Sequence, residues 1–358
     1  MEKEFKMYAI DKLFRLSDVY NEKIIDIDNV WAEEIFGKII LNRVTNICYD
    51  NLRKQSIWIS KEFDKAFDTL YRKNIIEAEL YDKAMAYVAE IFKDVSFSYA
   101  MLKGAYLITH VYKKGYRQSN DIDLLIKEDD IEKCQQLLVK NGFIQGHVRG
   151  SKIIEATRKE VILSRMNYGE TIPFCKFWEG KYLCVDINFS LDYKPMKNNE
   201  VIYKMLENSV ETSLTNKCFR TLNVNDFIIH LCLHLYKEAT TYDWVKRRKD
   251  LNLYKFSDLN VMFHEYVDEE SINILCERIK EFGVERECYY ALLNASEIYE
   301  DLKNNSNYET LLKEIKPECT NYLTRIIDPQ GKKIYEYDMS FREWFACEDR
   351  VNQLRVVE

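Results

Sequence analysis

Residues 101–126 read MLKGAYLITHVYKKGYRQSNDIDLLI. Near its end, Asp121 and Asp123 stand one residue apart, with Ile122 between them and Leu124, Leu125 and Ile126 behind. The apolar neighbours predict a buried strand over 121–126. Two carboxylates on such a strand repel each other, and each costs free energy to bury uncompensated. Residues i and i+2 of a strand share a face, so the pair lies roughly 6.5–7 Å apart along one side of a sheet. A divalent cation resolves the conflict. Mg²⁺ takes oxygen ligands and is commonly held by one or two carboxylates plus substrate phosphates. Two such ions about 3.5–4 Å apart stabilise both the attacking and the leaving oxygen of a phosphoryl displacement.

The chain around this pair reads as a small sheet. SYAMLK (98–103) is a short strand, Gly104 ends it, and AYLITHVYKKG (105–115) fits a short helix. Backbone N–H groups at a strand-to-helix turn suit an anion such as phosphate, and glycine lets it approach closely; an ordinary turn is the alternative for one glycine alone. DDIEKCQQLLVKNG (129–142) predicts a helix with Ile131, Cys134, Leu137 and Leu138 on one face and Gly142 as its C-terminal cap. The runs 152–156, 160–166 and 173–178 look β-like, and YLCVDINFSL (182–191) alternates as a strand with Asp186 inside it. A second Asp-Ile-Asp, in IIDIDNV (24–30), lacks a Gly-bounded strand before it. Asp26 and Asp28 are therefore expected in a solvated turn or helix entry.

The flanks read differently. Residues 38–96 contain neither Gly nor Pro, and WISKEFDKAFDTLYRKNIIEAELYDKAMAYVAEIF repeats apolar residues at helical spacing. Residues 196–316 again look helical, with FIIHLCLHLYKEA and INILCERIKEFG the clearest segments, and the tail SFREWFACEDRVNQLRVVE reads as one more helix or a partly ordered end. The expected organisation is a helical N-terminal region (1–95), a small mixed-sheet core (96–195) and a helical C-terminal region (196–358), an α+β fold. The ten cysteines include no CxxC pair, which predicts reduced thiols of a cytosolic protein and no zinc site. No apolar run approaches the ~18 residues of a membrane helix, and the start lacks a signal-peptide pattern, so a cytoplasmic protein without membrane contact is expected. A formal net charge of -7, from 59 acids and 52 bases, disfavours a long nucleic-acid groove but admits a small anionic ligand held with a metal ion.

The order strand, Gly, helix, DxD strand, third-Asp strand resembles the nucleotidyltransferase fold of the DNA polymerase beta superfamily. The matching positions are Leu102-Lys103-Gly104-Ala105, Asp121-Ile122-Asp123-Leu124 and Val185-Asp186-Ile187. More narrowly, residues 101–126 resemble uncharacterised bacterial nucleotidyltransferases with an LKG turn and an Arg shortly before DIDLL. Two positions depart from the pattern: Ala105 replaces a Gly or Ser, and Asn188 stands where His is often expected. The resemblance implies that Asp121 and Asp123 hold the metal bound to a triphosphate. Asp186 would complete the metal site and help deprotonate the acceptor. Lys103, Gly104, Ala105 and Arg117 would face the nucleotide.

The function expected on this basis is Mg²⁺- or Mn²⁺-dependent transfer of an NMP from an NTP, ATP included. The acceptor is a hydroxyl or phosphate of a small molecule or peptide, and pyrophosphate is released. A toxin-like enzyme modifying tRNA or protein, and a catalytically silent nucleotide-binding module, are the alternatives; three intact carboxylates argue against the latter. His230 and His234, i,i+4 on a predicted helix, read as packed histidines or as part of a cleft. Residues 246–249 (KRRK) read as a solvated face or a local basic patch. Trp178, Tyr236, Tyr242 and Trp244 are candidates for an acceptor pocket wall.

Overall fold

The computed structural model describes residues 2–26, 29–191, 199–214 and 216–358. They form two compact units, one of residues 76–227 and one of residues 1–75 with 228–358. The chain opens with helices α1 (Glu2–Ser17), α2 (Asn29–Leu41), α3 (Thr45–Lys54) and α4 (Lys61–Ile91). With no Gly or Pro to interrupt it, α4 runs for 31 residues.

Unit 76–227 is built on an eight-stranded mixed sheet. Its strands are β1 (Tyr99–Met101), β2 (Asp121–Ile126), β3 (Ile144–Arg149), β4 (Lys152–Glu155), β5 (Phe174–Trp178), β6 (Lys181–Asn188), β7 (Val210–Leu214) and β8 (Lys217–Thr221), in the order β4-β3-β5-β6-β2-β1-β8-β7. β2 pairs antiparallel with β1 and parallel with β6. Side-chain alternation sends Ile122, Leu124 and Ile126 of β2 and Val185 and Ile187 of β6 into one core, shared with Ala78, Tyr81, Met85 and Val88 of α4. The opposite face of the same two strands carries the carboxylates.

The helices of this unit are α5 (Gly104–Tyr106), α6 (Ile131–Lys140), α7 (Arg158–Tyr168) and α8 (Asn199–Glu207). The short helix expected after Gly104 is a three-residue α turn continued by a π-helical turn over Leu107–Val111. α6 follows a 3₁₀ turn and buries Ile131, Cys134 and Leu138. Two expectations are corrected. The run 160–166 lies in α7, because Thr157 and Glu160 form a capping box that starts a helix there. Within the stretch read as helical after 196, β7 and β8 form a hairpin, and Met101 of β1 pairs with Thr221 to attach it to the sheet.

The cysteines bring a third correction. Cys175 and Cys184 are register partners on β5 and β6, with Cα atoms 4.2 Å apart, and are joined as a disulfide. The expectation of reduced thiols holds for the eight others.

The other unit gathers α1–α3 and the start of α4 with most of α9 (Val224–Ala239) and the helices Leu253–Tyr266, Glu269–Phe282 and Glu285–Ile298. The tail holds a helix, Phe341–Ala346, and strands Arg325–Asp328, Lys333–Glu336 and Arg355–Val356 in a small antiparallel sheet. Arg350 ties it down: its Nη1 donates to both carboxylate oxygens of buried Asp250, at 2.6 and 2.8 Å. Among the described residues no helix is long and apolar enough to cross a membrane.

Candidate active site

The parallel register of β2 and β6 sets Asp123 directly beside Asp186. Adjacent strands lie about 4.8 Å apart, and neighbours in register point the same way, so Asp121, Asp123 and Asp186 share one face. Asp123 is nearly buried. Its Oδ1 accepts a hydrogen bond from Lys103 Nζ at 2.8 Å and a longer one, at 3.5 Å, from Asn188 Nδ2. Ser119 Oγ donates to Asp121 Oδ1 at 2.8 Å, and Tyr81 of α4 donates through its hydroxyl to the Asp121 carbonyl at 3.0 Å. Asp186 Oδ1 is buried and accepts no hydrogen bond among the described residues.

Burial pushes the Asp123 carboxyl up from its usual range; the Lys103 ammonium opposes that rise and the Asp121 charge adds to it. Asp186 is pushed well above the usual carboxylate range, by burial first and then by the charges of Asp121, Asp123 and Glu170. An acid whose proton is held this tightly is a correspondingly better base. The unpartnered Asp186 oxygen is a vacant acceptor of the kind a cation satisfies.

Lys103 links this carboxylate face to the turn. Its backbone sits at φ 45°, ψ -115°, a conformation that costs a side-chain-bearing residue about 1–3 kcal/mol and is found mostly where function requires it. The turn is held by Leu102 N–H donating to the Asp123 carbonyl at 2.9 Å and Leu107 N–H donating to the Lys103 carbonyl at 2.9 Å. Gly104 has a steric requirement. A Cβ there would lie 2.8 Å from Ser119 Cβ, 3.0 Å from Ser119 Oγ and 3.1 Å from the Tyr81 hydroxyl. Ala105 is fully buried, and its N–H is spent on the Leu102 carbonyl at 3.0 Å. With only three α-helical residues after it, the turn has little helix dipole, so the Lys103 ammonium is the stronger candidate partner for a phosphate.

Arg117 lies in the loop before β2 and is buried. It donates to the Gln118 carbonyl, and its charge reaches the Tyr81 hydroxyl. Asp26 is exposed and outside regular structure; Asp28 lies outside the described residues. His230 and His234 belong to α9, with parallel rings 6.4 Å apart, and His234 approaches Glu238 at 3.5 Å. Residues 246–249 are exposed at the end of the short helix Tyr242–Lys246 and beyond it. Tyr236 packs edge-on against Tyr290, Tyr242 stacks on Tyr335, and Trp178 stacks on Tyr87. Tyr81, Ser119 and Glu170 escaped the sequence reading. Ser119 alone had a local signal, since it lies two residues before Asp121 in the same motif.

Among the described residues no three His, Cys, Asp or Glu side chains are drawn closely enough together to enclose a metal ion by themselves. The donor set instead suits Mg²⁺ or Mn²⁺ completed by phosphate oxygens, which needs only one or two carboxylates from the protein. The unpartnered Asp186 oxygen and the repelling carboxylates fit such an ion. Nothing among curated proteins or solved structures matches the chain. The model of the family described as uncharacterised nucleotidyltransferase matches residues 32–300, a span that contains the whole carboxylate face, the Lys103–Gly104 turn and all eight strands, and the chain belongs to that family.

Proposed function

We propose that the protein transfers an NMP from an NTP to a hydroxyl or phosphate of a small-molecule or peptide acceptor, releasing pyrophosphate. The observation that carries this reading is the register pairing of Asp123 with Asp186, whose buried Oδ1 has no hydrogen-bond partner among the described residues. Asp121, Asp123 and Asp186 would hold Mg²⁺ or Mn²⁺. When bound, the ion supplies Lewis-acid stabilisation of the charge that develops on the α-phosphate and on the leaving pyrophosphate.

The chain's own residues have distinct tasks. Lys103 and Arg117 would supply positive charge near the triphosphate. Gly104 leaves room for Ser119, which fixes the Asp121 carboxylate. Asp186, with its raised proton affinity, takes the proton of an acceptor hydroxyl as that oxygen attacks the α-phosphorus. The bond from the α-phosphorus to the bridging oxygen breaks, and the electron pair leaves with pyrophosphate. Most of the rate comes from positioning and preorganised charge. Against tRNA as acceptor stands the acid excess, 59 against 52, since a polyanion is bound through clustered Lys and Arg.

The test is to incubate the protein with each of the four labelled NTPs, Mg²⁺ or Mn²⁺, and either a metabolite and peptide extract or tRNA. Pyrophosphate release coupled to an NMP adduct, seen by mass spectrometry in the extract, is the expected result. Labelling confined to tRNA would replace the small acceptor with a nucleic acid. No adduct and no NTP binding under any condition would overturn the reading.

A further inference from the structure

Lys103 is placed in an unusual way for a residue that would face a triphosphate. Its ammonium points back into the carboxylate face, 2.8 Å from Asp123 Oδ1, and its charge is felt at Asp186 as well. A cation and an ammonium cannot both occupy that position beside Asp123. The Lys103 side chain is itself only 14% exposed, so the pair is shielded from water and interacts strongly. Its backbone is held at positive φ. The flexible four-carbon stem lets the ammonium reach a new anion once Asp123 is taken.

We propose that Lys103 is an internal counter-ion that holds the Asp123 carboxylate in the nucleotide-free protein, yields it to the divalent cation arriving with the nucleotide, and then pairs with the triphosphate. The inference rests on the nucleotidyltransferase reading of this site. It makes Lys103 a device that couples metal binding to nucleotide binding. Metal alone must displace the ammonium, and its apparent affinity is lowered by the small fraction of protein in which Asp123 is open. Metal with nucleotide gives the ammonium a new anion to pair with.

The two halves of this exchange move in opposite directions when the ammonium is removed. Lys103→Met keeps the length of the stem, and Lys103→Gly keeps the positive φ without a side chain, so at least one of the two is expected to fold; circular dichroism and melting curves check this. Mn²⁺ binding is measured by electron paramagnetic resonance without nucleotide. Binding of a non-hydrolysable α,β-methylene NTP is measured by calorimetry with Mn²⁺ present. The variants should bind Mn²⁺ alone about tenfold tighter than the unaltered protein and bind the Mn²⁺–nucleotide complex at least about tenfold more weakly. A folded variant whose Mn²⁺ affinity is unchanged or weaker, beside an unaltered protein that binds the nucleotide, overturns the exchange and leaves the nucleotidyltransferase reading intact. An unaltered protein that binds no nucleotide overturns both.

Discussion

Asp123 and Asp186 are neighbours in register, and Asp123 has a hydrogen-bonded cation, with Lys103 Nζ 2.8 Å from its carboxylate. The Asp186 oxygen beside it has no hydrogen-bond partner among the described residues. The same substitution at the two positions therefore has opposite structural consequences.

Asp186→Asn removes a charge that burial and its neighbours disfavour. In EDTA the variant should melt about 1–2 °C higher than the parent. Asp123→Asn leaves the Lys103 ammonium without its counter-ion and should melt lower. Both should lose more than about a hundredfold in NMP transfer. Calorimetric melting alongside a pyrophosphate-release assay checks the pair. Equal shifts of the same sign would refute the asymmetry. Asp26→Asn, on an exposed segment, should leave activity within about twofold.

Gly104→Ala should act through Ser119. The new methyl group meets Ser119 Cβ at 2.8 Å, so the hydroxyl that fixes Asp121 must shift. Nucleotide affinity should fall at least about tenfold with the fold retained. Adding Ser119→Gly removes the clash and should recover part of the lost nucleotide affinity. If the double variant is no better than the single one, steric pressure on Ser119 is not the cause.

Asp18, in the other unit, gives a prediction about pH. Burial pushes its carboxyl up to about 6, although the Tyr20 N–H and Asn260 Nδ2 donate to it. The folded state binds this proton more tightly than the unfolded state, so stability falls as pH rises from about 4 to about 6 and then levels off. Asn at this position keeps an acceptor for both donors and carries no charge. Asp18→Asn should therefore stabilise the protein at pH 7.5, by at most about 3 kcal/mol, with the gain shrinking toward pH 4. Urea unfolding at the two pH values reads this directly. A gain that is constant with pH would sink it.

Arg350→Met should be costly, because it strands the buried Asp250 carboxylate that the guanidinium grips with two hydrogen bonds. A loss of about 3–5 kcal/mol is expected. Asp250→Asn with Arg350→Met should recover part of it. A single variant with an unchanged melting temperature would show that the tail is not anchored there.

The parts of the fold that were legible in the sequence are those where burial and chemistry write a local pattern. Ile122, Leu124 and Ile126 alternate with the carboxylates, which placed β2 and its two faces. Gly104 ended β1, and Ile131, Cys134 and Leu138 marked the buried face of α6. β7 and β8 escaped because little of the hairpin is buried. Only Phe219 and Thr221 of β8 are buried, and none of β7, and β8 joins the sheet through a long-range pairing with β1. The apolar run in α7 looked like a strand because Ile162, Leu163 and Met166 stand close together; all three are exposed on a helix that its cap initiates. In the candidate site, the shared face of Asp121 and Asp123 on β2 was legible from their spacing. Tyr81 was invisible, since it reaches the Asp121 carbonyl across 40 residues of chain, and Glu170 acts on Asp186 only by proximity in space.

β2 has a hydrogen-bonded strand on each side, with β6 along one edge and β1 along the other. This gives the site a division in time. The amide protons of Ile122 and Leu124 should exchange with solvent only when the sheet comes apart, whereas those of the turn and π-helical segment at 103–111 should exchange through brief local openings. Asp121 and Asp123 are thus expected to ride on a slowly exchanging strand, and Lys103 on a faster segment. The carboxylates are expected to act as a fixed reference against which the lysine reorients.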